Sequence, residues 1–158
     1  MALGPGLGAT GEGPTVTVRA ARPEDAARCA QISPGRSPEE LFALLSQADV
    51  RWVVVEDNDG KVVGTGLINL WRWNGVAWVW DLRVDENERG KGYGAELLRG
   101  MIQTAREMGA KVLMDFEGAR QSDLSKLYLN NGFRICGTND RMWPLAKDTS
   151  GVYYGLDL

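Results

Sequence analysis

Hydrophobic residues near the start of the chain predict one strand followed by two helices. Residues 16–19 alternate valine with polar residues, as in a half-buried strand. A helix is expected to begin at Pro23, where a missing N–H is harmless and the acidic residues that follow suit the helix dipole. Ser37 and Glu40 form a capping box before a stripe of leucines, which predicts the second helix.

Three longer runs rich in β-formers follow, joined by turn sequences. Residues 52–55 and 62–70 are separated by an Asp-Gly turn, and Asn74-Gly75 precedes the run 76–84. Both dipeptides favour tight hairpins. The three runs are therefore expected to form an antiparallel meander.

After residue 92 the hydrophobic spacing changes to that of a helix, which is expected to end at Gly109. The rest of the chain continues to alternate strands with helices. In order, the pattern predicts a strand at 112–116, a short helix at 122–131, a strand at 133–136 and a strand at 152–156 that closes the sheet.

Length and composition indicate one folded domain. The 158 residues are 44% hydrophobic, enough for an ordinary core, and we assign the domain to residues 15–158. Residues 1–14 are rich in Gly, Pro and Ala and carry almost no charge. They are expected to form a flexible tail.

Charge and residue usage disfavour several classes of function. A formal charge of -3 without a basic block argues against a general attraction to nucleic acid. No apolar run reaches the roughly 20 residues of a membrane helix and no signal sequence is recognisable, so a cytoplasmic protein is expected. Histidine is absent and the two cysteines are far apart, which argues against a metal site. Acid–base chemistry is left to carboxylates, tyrosine, cysteine or water.

A glycine-rich turn lies between the predicted meander and the long helix. Backbone N–H groups and the helix dipole at such a junction bind anions, and glycines let the backbone approach a phosphate closely. Two basic residues favour a phosphate site over a turn that needs glycine only for its dihedral angles. The turn reads Arg89-Gly90-Lys91-Gly92-Tyr93-Gly94.

The turn also satisfies the dinucleotide pattern GxGxxG/A through Gly90, Gly92 and Ala95, with Glu117 downstream. That pattern belongs to a parallel βαβ unit whose first glycine ends the strand. Here hairpins precede the turn and residues 85–89 intervene. A P-loop is disfavoured because its GK[ST] is missing. A dinucleotide site is the weaker reading.

The turn and its surroundings resemble the GNAT superfamily of acetyl-CoA-dependent acyltransferases. The resemblance covers most of residues 15–158 and implies the GNAT fold, an α/β arrangement with layered α and β elements. Its central sheet is mixed, mostly antiparallel, with six to seven strands, and about four helices flank it. The signature [QR]xxGx[GA] is matched by Arg89, Gly92 and Gly94, and the ending LYxxxGF by Leu127, Tyr128, Gly132 and Phe133.

The resemblance implies roles for individual residues. The strand end Leu82-Arg83-Val84 would bind the pantetheine arm of acetyl-CoA through its backbone. The turn residues Arg89 to Gly94 would hold the pyrophosphate. Gln121 stands where family members often place an asparagine near the cofactor.

Within the superfamily, residues 80–84 and the segment from Gly132 to Trp143 are similar to streptothricin acetyltransferases. This similarity favours a small-molecule amine, such as an antibiotic or a polyamine, as the acceptor. Two other readings stay open. One is acetylation of protein N-termini or lysines, and the other is a CoA-sensing module without turnover.

Direct acetyl transfer needs an uncharged amine and a proton donor for the departing thiolate. By resemblance Tyr128 would approach the thioester sulfur, and a tyrosine of free pKa about 10 can protonate a thiolate there. Tyr128 is therefore the candidate acid. The alternative is a tyrosine that only packs in the core.

Asp81 is the candidate base, because it lies among apolar strand residues just before the pantetheine segment. Simple alternation places it on the face of Val79 and Arg83, opposite Trp80 and Leu82, where an ion pair with Arg83 is equally open. A bulge would re-aim its side chain. If Asp81 is not the base, Glu56 or solvent takes its place.

Tryptophans are numerous for a domain of this size, and five of the six are candidates for substrate contact. A cationic amine fits against such rings. The same rings also fit a sheet face or the interface of a homodimer. As a group they favour a small amine substrate; they are Trp71, Trp73, Trp78, Trp80 and Trp143.

Overall fold

The computed structural model describes residues 16–120, 122–144 and 150–158. The expected flexible tail, residues 1–14, and the cofactor-binding candidate Gln121 lie outside the described residues. Among the helices of the described residues, none is long and apolar enough to cross a membrane.

Seven strands and four α-helices occupy the described ranges. Two short 3-10 turns, Pro23–Asp25 and Glu86–Glu88, accompany them. The strands are β1 (Thr17–Ala20), β2 (Val50–Glu56), β3 (Val62–Trp71), β4 (Val76–Val84), β5 (Val112–Gly118), β6 (Arg134–Asn139) and β7 (Gly151–Asp157). The helices are α1 (Ala26–Ile32), α2 (Pro38–Leu44), α3 (Tyr93–Glu107) and α4 (Ser122–Asn130).

All seven strands belong to one sheet in the order β1-β2-β3-β4-β5-β7-β6. Neighbouring strands run antiparallel except β4 and β5, which run parallel. The predicted mixed, mostly antiparallel sheet and its β2–β4 meander are thereby confirmed. The last strand does not close the sheet at an edge, however, because β7 is inserted between β5 and β6.

The ends of two helices follow from the local sequence. Ser37 Oγ accepts a hydrogen bond from Glu40 N at 3.1 Å, and Glu40 Oε2 accepts one from Ser37 N at 2.8 Å. This is the predicted capping box, which satisfies two N–H groups of the first turn. Gly109 follows α3 with a φ of 83°, the left-handed conformation expected of a residue that ends a helix.

Helices cover both faces of the sheet. On one face α3 and α4 bury a core that includes Leu97, Leu98 and Met101. On the other face α1 and α2 pack around a second core that includes Leu41 and Trp52. Each large apolar side chain buried in this way contributes about 1.5–3 kcal/mol. The two cores hold β2 and β3 between helical layers, and β4 pairs with β3 and packs on the core beneath α3.

Candidate functional site

The two central strands β4 and β5 separate part-way along their length. Their parallel register consists of three residue pairs, from Val76 with Val112 to Trp78 with Met114. Beyond this point β4 stays paired with β3, and β5 stays paired with β7. A cavity of about 1010 Å³ lies between the diverging halves, lined by residues of β4, β5, α4 and the turn before α3.

A bulge in β4 marks the point of separation. Leu67 of β3 pairs with Asp81 and Ile68 pairs with Val79, which leaves Trp80 as the extra residue. The expectation from simple alternation is therefore wrong in part. Val79 and Leu82 both pack on the core beneath α3, whereas Asp81 hydrogen-bonds to the opposite layer.

The glycine-rich turn leads into α3 in the way that an anion site requires. Gly92 is the N-cap residue with a φ of 88°, and Gly90 has a φ of 77°. The first intrahelical hydrogen bond runs from Glu96 N to Gly92 O at 3.2 Å. The N–H groups that precede Glu96 along the helix therefore point out of its N-terminus. A Cβ added to Gly90 or Gly92 would meet open space, which leaves room for a ligand against the backbone.

Most of the predicted cofactor-binding residues line the cavity. They are Arg89, Gly90, Gly92, Tyr93 and Gly94 of the turn and Leu82, Arg83 and Val84 of β4. Lys91 instead turns to Glu88, whose Oε2 lies 2.6 Å from its Nζ. This hydrogen bond raises the pKa of Lys91 and keeps the ammonium beside the turn.

Asp81 lies at the rim between the cavity and α1. Its Oδ2 accepts a hydrogen bond from the hydroxyl of Ser33, the residue that caps the C-terminus of α1. Its Oδ1 lies 3.7 Å from Nε of Arg83, a loose ion pair with a half-exposed guanidinium. The bulge and the ion pair anticipated as alternatives are thus both present, and Asp81 still lines the cavity.

The alternative base Glu56 lies away from the cavity. Its Oε1 accepts a hydrogen bond from Nε of Arg19 at 2.7 Å, and the same guanidinium binds Asp25. This network ties β1 and β2 to the start of α1. Glu56 therefore serves the fold and not the site.

Tyr128 lies behind the cavity wall, fully buried on α4. Its ring packs against Phe133 at a centroid distance of 4.9 Å and against Tyr154 at 5.2 Å. Its hydroxyl donates a hydrogen bond to Oδ2 of Asp115. Burial and the neighbouring charge of Asp115 raise the pKa of Tyr128 above its usual range.

Asp115 and Glu117 are site residues that the sequence did not identify as such. They alternate with Phe116 on β5, and all three line the cavity. Burial, and then the charge of Glu117, raise the pKa of Asp115 to about 8. Burial also raises the pKa of Glu117, while Arg83 opposes the shift. The signal that the sequence offers is two acidic positions near the end of the predicted strand 112–116, of which Glu117 also fits the disfavoured dinucleotide pattern.

The aromatic side chains divide into two groups. Trp80, Phe116 and Trp143 line the cavity, with the rings of Phe116 and Trp143 6.4 Å apart. Trp71 and Trp73 stack on each other at 6.4 Å on the β3–β4 hairpin. Trp78 packs between the groups, 5.4 Å from Trp71 and 6.4 Å from Phe116. Of these six side chains, the three of the first group line the cavity and are placed to meet a substrate there.

Acidic side chains gather in the cavity without forming a metal centre. Among the residues for which the structure gives a description, no group of three or more His, Cys, Asp or Glu side chains is arranged to hold a metal ion. The turn supplies N–H donors and the exposed Arg89, which suit a phosphate. The end of the cavity at the turn therefore suits the pyrophosphate of a nucleotide cofactor, and the acidic end suits a cation.

The chain is similar in sequence and in structure to several acetyltransferases. The chain is 30% identical over 109 residues to the streptothricin acetyltransferase of Streptomyces lavendulae. The matched region covers 69% of this chain and 58% of that protein. A nourseothricin acetyltransferase structure is 25% identical, with a TM-score of 0.63 over 69% of this chain and 65% of that chain. The structure of the Salmonella typhimurium protein yncA with its cofactor acetyl-CoA has the same fold, with a TM-score of 0.80 at 19% identity over 90% of this chain and 94% of that chain.

Two of these matches cover less than two thirds of the relative's own length. The chain spans 58% of the length of the curated relative, so the segments that complete that protein have no counterpart in the match.

The model of the acetyltransferase (GNAT) family matches residues 20–133, which includes the meander, the glycine-rich turn, α3, β5 and α4. This chain belongs to the GNAT family of acetyltransferases.

Proposed function

We propose that this chain transfers an acetyl group from acetyl-CoA to a primary amine of a small, cationic molecule such as an antibiotic or a polyamine. One observation carries the proposal. A single cavity joins the N-terminus of α3 to an acidic and aromatic region between β4 and β5. Such a cavity offers a phosphate site and an ammonium site within one space.

The donor half of the cavity consists of the turn and the free side of β4. N–H groups at the start of α3 and the guanidinium of Arg89 suit the pyrophosphate. From Leu82 to Val84, β4 uses one side for pairing with β3. Its other side faces the cavity, where the backbone is available to the amide groups of a pantetheine arm.

The acceptor half lies between β4 and β5 beside the bulge. Asp81 and Glu117 supply carboxyl groups there, and Trp80 and Phe116 supply exposed aromatic faces. An ammonium group is attracted to both kinds of surface. Guanidinium binding of this type already occurs at the rim, where Cζ of Arg36 lies 5.8 Å from the ring centre of Trp80.

The chemistry of transfer divides between two sets of side chains. Acetyl-CoA supplies a thioester whose carbonyl carbon is open to attack by an amine. We assign to Asp81 the removal of the proton from the acceptor ammonium, directly or through a water. The hydrogen-bonded pair of Tyr128 and Asp115 stands on the α3 and α4 side and supplies acid chemistry to the departing sulfur.

The names of two relatives support the choice of acceptor. Streptothricin and nourseothricin acetyltransferases are at 30% and 25% identity. Their names give streptothricin and nourseothricin as the acceptors, which supports a small-molecule acceptor for this chain. Because the chain covers only part of their length, the acceptor is a proposal that rests on both arguments together.

A thiol-release assay with acetyl-CoA tests this function. The acceptor panel contains streptothricin, nourseothricin, polyamines, aminoglycosides and short peptides, and mass spectrometry of each acceptor reports the added acetyl group. We expect release with at least one small cationic amine and little with peptides. Turnover of peptides alone would contradict the small-molecule acceptor. CoA binding without release to any amine would favour a sensor over an enzyme.

A further inference from the structure

The proposed general acid of the family motif is not in contact with the cavity in this chain. Tyr128 is fully buried, and its hydroxyl hydrogen is directed to Oδ2 of Asp115. Asp115, by contrast, is among the residues that line the cavity. Of the hydrogen-bonded pair of Tyr128 and Asp115, Asp115 is therefore the member that can pass a proton to the cavity.

The carboxyl of Asp115 is held in a fixed position by three elements. Oδ2 accepts from Tyr128 of α4, and Oδ1 accepts from the N–H of Phe116 at 2.7 Å. Tyr154, which pairs with Asp115 from β7, stacks on the ring of Tyr128 and fixes that hydroxyl in turn. These contacts restrict the orientation of the carboxyl group. A proton donor has to be held in one position in this way.

We propose that the Asp115 carboxyl, rather than the Tyr128 hydroxyl, donates the proton to the departing CoA thiolate, and that Tyr128 positions it. This inference rests on the proposed acetyl transfer. It assigns the catalytic acid to β5 and makes Tyr128 a positioning residue.

The pKa values of Asp115 and Tyr128 support Asp115 as the proton donor. A free thiol has a pKa of about 8.5. Burial and the charge of Glu117 raise the pKa of Asp115 to about 8, which matches that thiol and keeps the carboxyl protonated at neutral pH. Burial drives the pKa of Tyr128 further above its usual range, so its proton is held too tightly for ready transfer.

The charged and titratable groups around Asp115 raise or lower its pKa, directly or through Glu117. Glu117 on the same strand raises its pKa, and the hydrogen bond from Tyr128 lowers it. Arg83 and Asp81 on β4 face Glu117 and act on it with opposite signs. Tyr154 of β7 stacks on the ring of Tyr128. Burial is thus the main cause of the raised pKa of Asp115, and Glu117 is the charged neighbour that adds most to it.

The transfer step balances with these groups. The acceptor ammonium loses one proton to Asp81 or water, and its nitrogen forms a bond to the carbonyl carbon. The carbon–sulfur bond breaks, and the sulfur takes its electron pair together with the proton of Asp115. The acylated nitrogen loses a second proton, and a proton taken up through the cavity restores the acid form of Asp115. One proton is released to solvent for each acetyl group transferred.

The test compares Asp115→Asn, Glu117→Gln and Tyr128→Phe with the unaltered enzyme across pH. Asp115→Asn is expected to lower kcat roughly 100-fold or more. In the unaltered enzyme kcat should fall as pH rises through the pKa of Asp115. Glu117→Gln should move this alkaline limb to lower pH, and Tyr128→Phe should move it to higher pH, because each removes an influence of opposite sign.

A second readout needs no acetyl-CoA and covers the case in which Asp115→Asn fails to fold. Infrared titration of the free protein should show a protonated carboxyl band that disappears as the pH is raised through about 8. Glu117→Gln should shift this titration in the same direction as the kinetic limb. Agreement of the two shifts supports Asp115 even without the Asn variant.

Three outcomes would overturn the inference in distinguishable ways. Full activity of Asp115→Asn would exclude Asp115 as the acid and leave acetyl transfer intact. Loss of turnover in Tyr128→Phe, with an alkaline limb that Glu117→Gln does not move, would return the acid role to Tyr128. No acetyl transfer by the unaltered enzyme to any amine would end the proposed function, and this inference with it.

Discussion

Trp78 of β4 and Met114 of β5 form the last residue pair of the parallel register between these strands. Both strands continue past this pair, β4 towards the turn before α3 and β5 towards α4. The space between them is the cavity, and the bulge at Trp80 directs Asp81 to its rim. The break in one ladder therefore creates the room for a cofactor arm and exposes the side chains that would act on it.

The backbone conformation of the turn gives the first prediction. Gly92 and Gly60 have φ values of 88° and 76°, and a Cβ on either would meet open space. Gly92→Ala and Gly60→Ala should each cost about 1 kcal/mol of folding free energy, because alanine is strained in the left-handed region. Only Gly92→Ala should also weaken CoA binding, roughly tenfold or about 1.4 kcal/mol, since the proposed function assigns the pyrophosphate to the N–H groups around Gly92.

Thermal unfolding and calorimetric CoA titration of both variants check this. Gly60 lies in the β2–β3 hairpin turn, so it serves as a control of equal backbone strain. Equal CoA affinity of the two variants would show that the turn before α3 does not hold the cofactor.

Asp81 gives the second prediction. Asp81→Asn keeps the shape of the side chain but removes the base, so kcat should fall roughly 100-fold. Ser33→Ala removes the hydroxyl that binds Asp81 and leaves the carboxylate in place, so its effect on kcat should be much smaller. Steady-state kinetics across pH measure both. If Asp81→Asn kept the full kcat at every pH, proton removal would have to be assigned to Glu117 or solvent.

The elements of the fold could be read from the sequence because they depend on neighbouring residues. The capping box at Ser37 and the hairpin turn at Asn74 each act over a few positions, and both are found where expected. The site depends on contacts between distant strands. The extra residue Trp80 and the bond from Tyr128 to Asp115 are set by the register of β4 against β3 and by the packing of α4, which local alternation does not contain.

The acceptor half of the cavity gives the third prediction. Phe116→Leu keeps an apolar side chain but removes the aromatic face beside the acidic residues. Loss of a cation–π contact of about 0.5–1 kcal/mol should raise KM for a cationic acceptor roughly two- to fivefold. KM for acetyl-CoA should hardly change, and two-substrate kinetics separate the effects.

Trp73→Leu is the matched control for this change. Trp73 is 82% exposed on the β3–β4 hairpin and stacks on Trp71 outside the cavity. An acceptor KM that rises equally in both variants would mean that the hairpin, and not the cavity, binds the acceptor.

The fourth prediction concerns stability against pH. The pKa of Asp115 is raised on folding, from the range of an ordinary carboxyl near 4 to about 8. The folded protein therefore holds a proton that the unfolded chain releases between these values. The free energy of unfolding should fall as pH rises from about 4 to 8, with a contribution from this group of at most about 1.4 kcal/mol per pH unit.

Denaturant unfolding at several pH values measures this slope. Asp115→Asn should flatten it, because the variant has no carboxyl to ionise at that position. Asp59→Asn, in the exposed turn between β2 and β3, should leave it unchanged. Identical slopes for the unaltered protein and Asp115→Asn would contradict a buried, protonated carboxyl at this site.

A crystal structure of the chain with bound CoA tests the central claim most directly. We expect the pyrophosphate to accept hydrogen bonds from the backbone N–H groups at the start of α3. The pantetheine arm should lie between β4 and β5 beyond the pair of Trp78 and Met114, with the sulfur near Asp115. A CoA molecule bound elsewhere, with the space between the two strands empty, would contradict the account.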